Sequence, residues 1–78
     1  MDVIVADDSS VIRRLLSSTI ARSGHHVIQA EDGGAAWAAF EASCPSLVVL
    51  DWQMPVLDGL EVTRRIREAP NGADVFVL

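Results

Sequence analysis

Three aspartates carry the chemical content of this chain. Asp7 and Asp8 sit together in "VIVADDSS", and Asp51 closes an apolar run in "VVLDWQMPVLDG". Each apolar run reads as a strand, so each delivers a carboxylate to a strand tip. Clustered carboxylates repel one another and are costly without a counter-ion. A hard divalent cation removes that cost. Mg²⁺ in particular takes one or two carboxylates, keeps several waters and leaves room for phosphate oxygens. An aspartate beside such an ion can act as a nucleophile toward a phosphoryl group, giving an aspartyl phosphate. Taken singly, each residue has a plainer role. Asp7 and Asp8 would favour a helix N-terminus, and Asp51 would be a loop residue. The pattern becomes chemical only if the two strand tips are neighbours.

The elements needed to make them neighbours are legible. "VIVA" (Val3–Ala6) is a continuous apolar run, as in a strand buried on both faces. Ser9 or Ser10 can then cap a helix in which Val11, Ile12, Leu15, Leu16, Thr19 and Ile20 recur at helical spacing, with Arg13, Arg14, Ser17 and Ser18 on the other side. Gly24 is a helix stop. "HVIQA" (His26–Ala30) reads as a second strand, "EDGG" as a turn, and "AAWAAFEA" (Ala35–Ala42) as a second helix ended by Pro45. "LVVL" (Leu47–Leu50) is a third strand. Asp58 caps a third helix, with Glu61 placed for a capping box and Val62 and Ile66 on the buried stripe. "APNG" breaks that helix, and "DVFVL" (Asp74–Leu78) reads as a fourth strand. Strands alternating with helices imply an α/β parallel sheet with right-handed crossovers. Sites in such sheets lie at the carboxyl ends of the strands, near a topological switch point.

Composition excludes several classes. At 78 residues there is one domain at most, burying only about 60–65% of its unfolded surface. The net charge of −5 argues against a nucleic-acid partner held by basic residues, and all six basic residues are Arg. No apolar run approaches the roughly 18 residues needed to cross a membrane. No signal peptide is visible. The single cysteine, Cys44, is read as a buried structural thiol that fits a reducing cytoplasm. His25 and His26 read as solvent-facing turn residues, Trp37 and Phe40 as core-facing, and Trp52 as partly exposed on the site rim.

"VIVADDSSVIRRLL" and "VVLDWQMPVLDGLEVTRRIR", with their separation, resemble the receiver domain of two-component response regulators. The resemblance implies a flavodoxin-like fold over residues 1–78, with strand order 2-1-3-4. It implies that Asp51 accepts a phosphoryl group from a histidine kinase or phosphotransfer protein, and that the domain is not an enzyme in the ordinary sense. It implies that Asp8 ligates Mg²⁺ directly, that Asp7 helps through water, and that the Gln53 backbone carbonyl joins Asp51 in the metal shell. Pro55 would fix φ in the loop after the site. Gly59 would permit close approach at the start of the third helix. Asp58 is read as a cap rather than a ligand.

The sequence also departs from the family pattern. Receivers have five strands, whereas these residues end with the fourth. The switch Ser or Thr and the phosphoryl-contacting Lys have no counterpart, and the last helix-strand-helix portion is lacking. The expectation is therefore an impaired acceptor and a homo-oligomer, most simply a two-fold dimer that pairs the Val75–Leu78 edge and covers the bared sheet or the Val11–Ile20 helix. The alternative is a receiver-like binding or dimerisation module without phosphotransfer. An aspartyl-nucleophile phosphatase would need a second acidic residue where Gln53 stands. An EF-hand loop fails at Gln53 and Pro55.

Overall fold

The computed structural model describes residues 1–70, 72 and 75–78, and of Phe76 the backbone alone. The elements run β1 (Asp2–Ala6), α1 (Ser10–Arg22), β2 (His26–Ala30), α2 (Gly33–Ser43), β3 (Leu47–Leu50), α3 (Gly59–Glu68) and β4 (Phe76–Val77). The strands form one parallel sheet in the order β2-β1-β3-β4. This is the expected flavodoxin-like order, with β1 and β3 side by side. Asp74, expected to begin the fourth strand, lies outside the described residues.

Alternation along the strands divides the core between two faces. Ile4, Ala6, Val48 and Leu50 pack with Ala36 and Phe40 of α2 and with Val62 and Ile66 of α3. Val3 and Val5, on the opposite face, are fully buried and lie outside that cluster. Helix α1 packs on β1 and β2 there. Their β3 partners Leu47 and Val49 are only half-buried.

Local signals explain most helix boundaries. Ser9 caps α1 with its side chain facing the Ile12 N–H at 3.4 Å. Gly24, at φ 91°, supplies the left-handed residue that stops it. Asp58 Oδ1 accepts from the Glu61 N–H at 2.9 Å and starts α3. The Glu61 carboxylate binds Arg64 and Arg65, so it is engaged along the helix rather than as the return arm of a capping box. Arg67 Nη1 donates to the carbonyls of Gly72 and Val75, tying α3 to the approach to β4.

Beside the capping box, four sequence expectations are corrected. His25, read as a solvent-facing turn residue, is half-buried with its Nδ1 inaccessible. Helix α2 begins two residues early, because Asp32 Oδ1 accepts from the Ala35 N–H at 2.7 Å and draws both glycines into the first turn. Cys44 is exposed, since it occupies the left-handed cap position of α2 at φ 49°. In α1 the expected apolar face is only partly covered: Leu16 and Ile20 are half-buried, and Arg14 and Ser18 are exposed as expected. Ser17 is its one buried residue, while Val11, Ile12 and Leu15 are 75%, 49% and 65% exposed. Phe40 is buried as expected, with Trp37 stacked on it at 5.6 Å and half-buried.

The Glu61 network gives an acid-range prediction. Hydrogen bonds from Arg64, and then Arg65, lower its carboxyl from the ordinary 4.5 to about 2. Folding therefore favours the ionised form. The stability this adds is complete above 4.5 and is lost as pH falls toward about 2. The network faces solvent, so the effect is small and screened by salt. Melting temperatures compared at about pH 6 and about pH 3 should fall less for Glu61→Gln than for the parent. Equal falls would remove Glu61 from the acid response.

Candidate functional site

Backbone hydrogen bonds at the carboxyl ends of β1, β2 and β3 fix the site. Ala6 pairs with Leu50 across β1 and β3 and with Ala30 across β1 and β2. One residue beyond, the Asp51 N–H donates to the Ala6 carbonyl at 3.0 Å, and the Asp7 N–H donates to the Ala30 carbonyl at 3.2 Å. The ladders thus run one step past the strands and hold Asp7 and Asp51 on adjoining tips. Carboxylate oxygens of Asp7, Asp8 and Asp51 all lie within 4.8 Å of one another. Asp7 and Asp51 are half-buried, and Asp8 is exposed.

Each acidic segment has its own restraint. Asp7 Oδ1 accepts from the Ser9 N–H at 2.8 Å, which turns the chain into α1. Arg13 Nη1 donates to the Asp7 carbonyl at 2.8 Å. Arg13 also lines a recess with Gln29, Ala30 and Glu31, at the carboxyl end of β2. Asp51 Oδ1 faces the Gln53 N–H at 3.5 Å. Asp58 stays with its helix cap and outside the acidic cluster.

The loop from β3 to α3 is clamped from both sides. The Gly59 N–H donates to the Trp52 carbonyl at 3.1 Å, and a Cβ on Gly59 would stand 2.5 Å from the Asp51 carbonyl oxygen. This is the close approach expected of Gly59. The Pro55 carbonyl accepts from the Gly33 N–H of α2 and from Leu57. Between them Val56 has φ 72°, the positive central angle of a γ-turn, which is strained for a β-branched residue. Met54 is buried beneath the loop and joins the main core cluster. Trp52 is 63% exposed on the rim.

The sequence reading gave no role to Met54, Arg13 or the Gly33–Pro55 tie. Met54 had a usable signal, since it is the one large apolar residue between Trp52 and Pro55. The contacts of Arg13 and Gly33 depend on which loops meet, and local sequence does not state that.

The arrangement is a cluster of hard oxygen donors at a strand crossover, open to solvent. The response regulator receiver domain family matches residues 3–78. The chain belongs to that family. A chemotaxis protein, CheY1 of Helicobacter pylori, is 38% identical over 69 residues, covering 86% of this chain and 56% of that relative. The alkaline phosphatase synthesis transcriptional regulatory protein PhoP of Bacillus subtilis is 42% identical over 66 residues, covering 85% of this chain and 28% of its own length. Among solved structures, the chemotaxis response regulator CheY4 of Vibrio cholerae superposes with a TM-score of 0.93 at 29% identity, covering 97% of this chain and 63% of that one. TrrA of Thermotoga maritima, solved in complex with Mg²⁺-BeF, gives a TM-score of 0.87 at 34% identity, covering 97% and 64%. The chain thus spans little more than half the length of the first curated relative it matches. Receiver domains are signalling modules, and the described residues include no helix long and apolar enough to cross a membrane.

The clamps make a prediction about this receiver. A Cβ on Gly33 would lie 1.6 Å from the Leu57 carbonyl oxygen, a backbone atom that moves only if the loop moves. Gly33→Ala should therefore cost about 1–3 kcal/mol and shift the loop carrying Trp52. Gly34→Ala meets a side-chain methyl of Val56 at 2.8 Å, which can yield more readily. Denaturant melts should rank Gly33→Ala well below Gly34→Ala. The reverse order would mean that the Gly33–Leu57 approach is not a constraint.

Proposed function

We propose that this receiver domain is the phosphoacceptor module of a two-component response regulator, with Asp51 as the acceptor and Mg²⁺ as the required ion. The observation that carries the reading is the convergence of three carboxylates within 4.8 Å at two adjoining strand tips. Such a set is costly to hold together unless a cation is shared. Its chemistry fits Mg²⁺: carboxylate oxygens, solvent exposure for retained waters, and room for phosphate oxygens. Asp8 and Asp51 would ligate directly, Asp7 through water, and the Gln53 carbonyl would complete the protein's share. The Mg²⁺-BeF complex of the Thermotoga maritima relative supports the same reading.

The chain's own residues define the acceptor step. The partner is a histidine kinase or phosphotransfer protein bearing a phosphohistidine. An Oδ lone pair of Asp51 forms the new O–P bond as the donor N–P bond breaks, its electron pair returning to the imidazole. The Asp51 N–H, bonded to Ala6, holds the nucleophile at the strand tip. Asp7 is kept in place by Ser9. A bound Mg²⁺ would offset charge on the phosphoryl oxygens.

We further propose that the reaction is slow in these 78 residues. The sequence contains no Lys, and Arg13 is engaged on the Asp7 carbonyl. Lack of one cationic contact to the transferred group lowers the rate by about 10²–10³. Incubation with a small phosphodonor and Mg²⁺, followed by intact mass, should show slow addition that Asp51→Asn abolishes. Mg²⁺ alone should change Trp52 emission in a Trp37→Phe background, and Asp8→Ala should weaken that response. Rapid stoichiometric addition would refute the impairment. Addition that survives Asp51→Asn would refute the acceptor assignment.

A second reading, as a dimerisation module, is supported by exposed apolar surface. Val11, Ile12 and Leu15 face solvent, and Leu47 and Val49 are half-covered on the same side of the sheet as Val3 and Val5. Among the described residues β4 is an outer strand of the sheet. A two-fold dimer would use one such patch twice. Light scattering after size exclusion, over a dilution series, should give a dimer whose melting temperature rises with concentration. A monomer with a concentration-independent transition would refute it.

A further inference from the structure

Three successive peptide units carry the chain across the acidic pair, and each has its own anchor. The Ala6–Asp7 unit belongs to the sheet: its carbonyl accepts from the Asp51 N–H, and its N–H donates to the Ala30 carbonyl. The Asp8–Ser9 unit is held locally, since the Ser9 N–H donates to Asp7 Oδ1 at 2.8 Å. The unit between them, Asp7–Asp8, is held by a side chain from α1. Arg13 Nη1 donates to the Asp7 carbonyl at 2.8 Å. A guanidinium donor makes this a charge-assisted bond, stronger than one between neutral groups. Arg13 is half-buried and forms no ion pair among the described residues, although Glu31 lines the same recess.

This middle anchor bears most on Asp8. A peptide unit is planar, so holding the Asp7 carbonyl also sets the direction in which the chain enters Asp8. The Asp8 carboxylate is exposed and has no hydrogen-bond or ion-pair partner among the described residues. Its direction therefore comes from the backbone on either side. Packing of α1 adds little, because Ser17 is the one buried residue of that helix. We propose that Arg13 is a positioning residue, which acts through the Asp7 carbonyl to aim the Asp8 carboxylate into the acidic cluster. This role rests on the reading of that cluster as a Mg²⁺ site. Arg13 has two opposed effects on a cation there. Its charge repels the ion, and its hydrogen bond prepares a ligand for it. Groups that orient metal ligands carry about tenfold or more in affinity, whereas a charge acting through solvent is screened and carries less. Positioning therefore outweighs repulsion, and the sign of the change in Arg13→Ala tells the two apart.

The test has two arms on the whole chain. Mg²⁺ is titrated against Trp52 emission in the Trp37→Phe background, and ¹⁵N relaxation is measured without metal. Arg13→Ala should weaken Mg²⁺ binding by about tenfold. Without metal, it should lower the order parameters of the Asp8 and Ser9 amides from the rigid value of about 0.85 toward about 0.6. Arg14→Ala removes an equal charge from an exposed side chain with no partner among the described residues, and should neither weaken Mg²⁺ binding nor loosen Asp8. Ser18→Gly weakens α1 itself at an exposed position, and should lower the melting temperature without weakening Mg²⁺ binding. Tighter or unchanged Mg²⁺ binding in Arg13→Ala, or an equal loss in Ser18→Gly, would overturn the positioning role. Unchanged order parameters at Asp8 would overturn it as well. If the parent chain gives no Mg²⁺ response, the metal reading of the cluster fails, and the metal-free order parameters alone decide whether Arg13 fixes Asp8.

Discussion

The hydrogen bond from the Asp51 N–H to the Ala6 carbonyl is the constraint on which the site depends. It extends the β1–β3 ladder one residue beyond Leu50 and places the nucleophile beside the Asp7–Asp8 pair. A slip of one residue would turn Asp51 to the other face of the sheet and send Val48 and Leu50 out of the core. The burial of Val48 and Leu50 against α2 and α3 therefore holds the carboxylate cluster in register. Packing energy is spent on keeping like charges together.

The loop after Asp51 is held by a second set of constraints, mostly backbone. Gly59 lets α3 come within reach of the Asp51 and Trp52 carbonyls, and Gly33 lets α2 do the same at Leu57. Met54 plugs the core from above. Val56 bears the conformational cost at φ 72°, in a position where glycine would be unstrained. The acidic rim thus has a rigid floor of strands and a tethered wall. It is open where Asp8 and Trp52 face water.

Much of this was legible in the residues. The β2 and β3 boundaries, the Ser9 and Asp58 caps, and the Val62–Ile66 stripe follow from local rules of periodicity and capping. The neighbouring of β1 and β3 came from the resemblance, and the pairing agrees with it. What was not legible depends on tertiary neighbours. The apolar positions of α1 were expected to be its buried stripe, yet Ser17 lies inside and Val11 and Leu15 outside. Periodicity shows that a helix has two faces, but the covering elements decide which face is inside. Cys44 was misplaced for another reason. A left-handed cap conformation sets its exposure, and composition statistics for cysteine carry no information about that.

The unequal covering of the sheet has a consequence for how the fold opens. Beneath α2 and α3 lie Phe40, Val62 and Ile66, all essentially inaccessible to water, whereas α1 contributes a single buried residue, Ser17. Local opening free energy follows buried contact, so the domain divides into a tight unit and a loosely attached helix. Amide protons of α1 should then exchange through detachment of that helix alone, and those of β1 and β3 only through global unfolding. The boundary between the two regimes falls at Ser9, directly after the Asp7–Asp8 pair. The Asp7–Asp8 pair therefore joins the firmly held tip of β1 to the loosely attached α1, whereas Asp51 extends β3 alone.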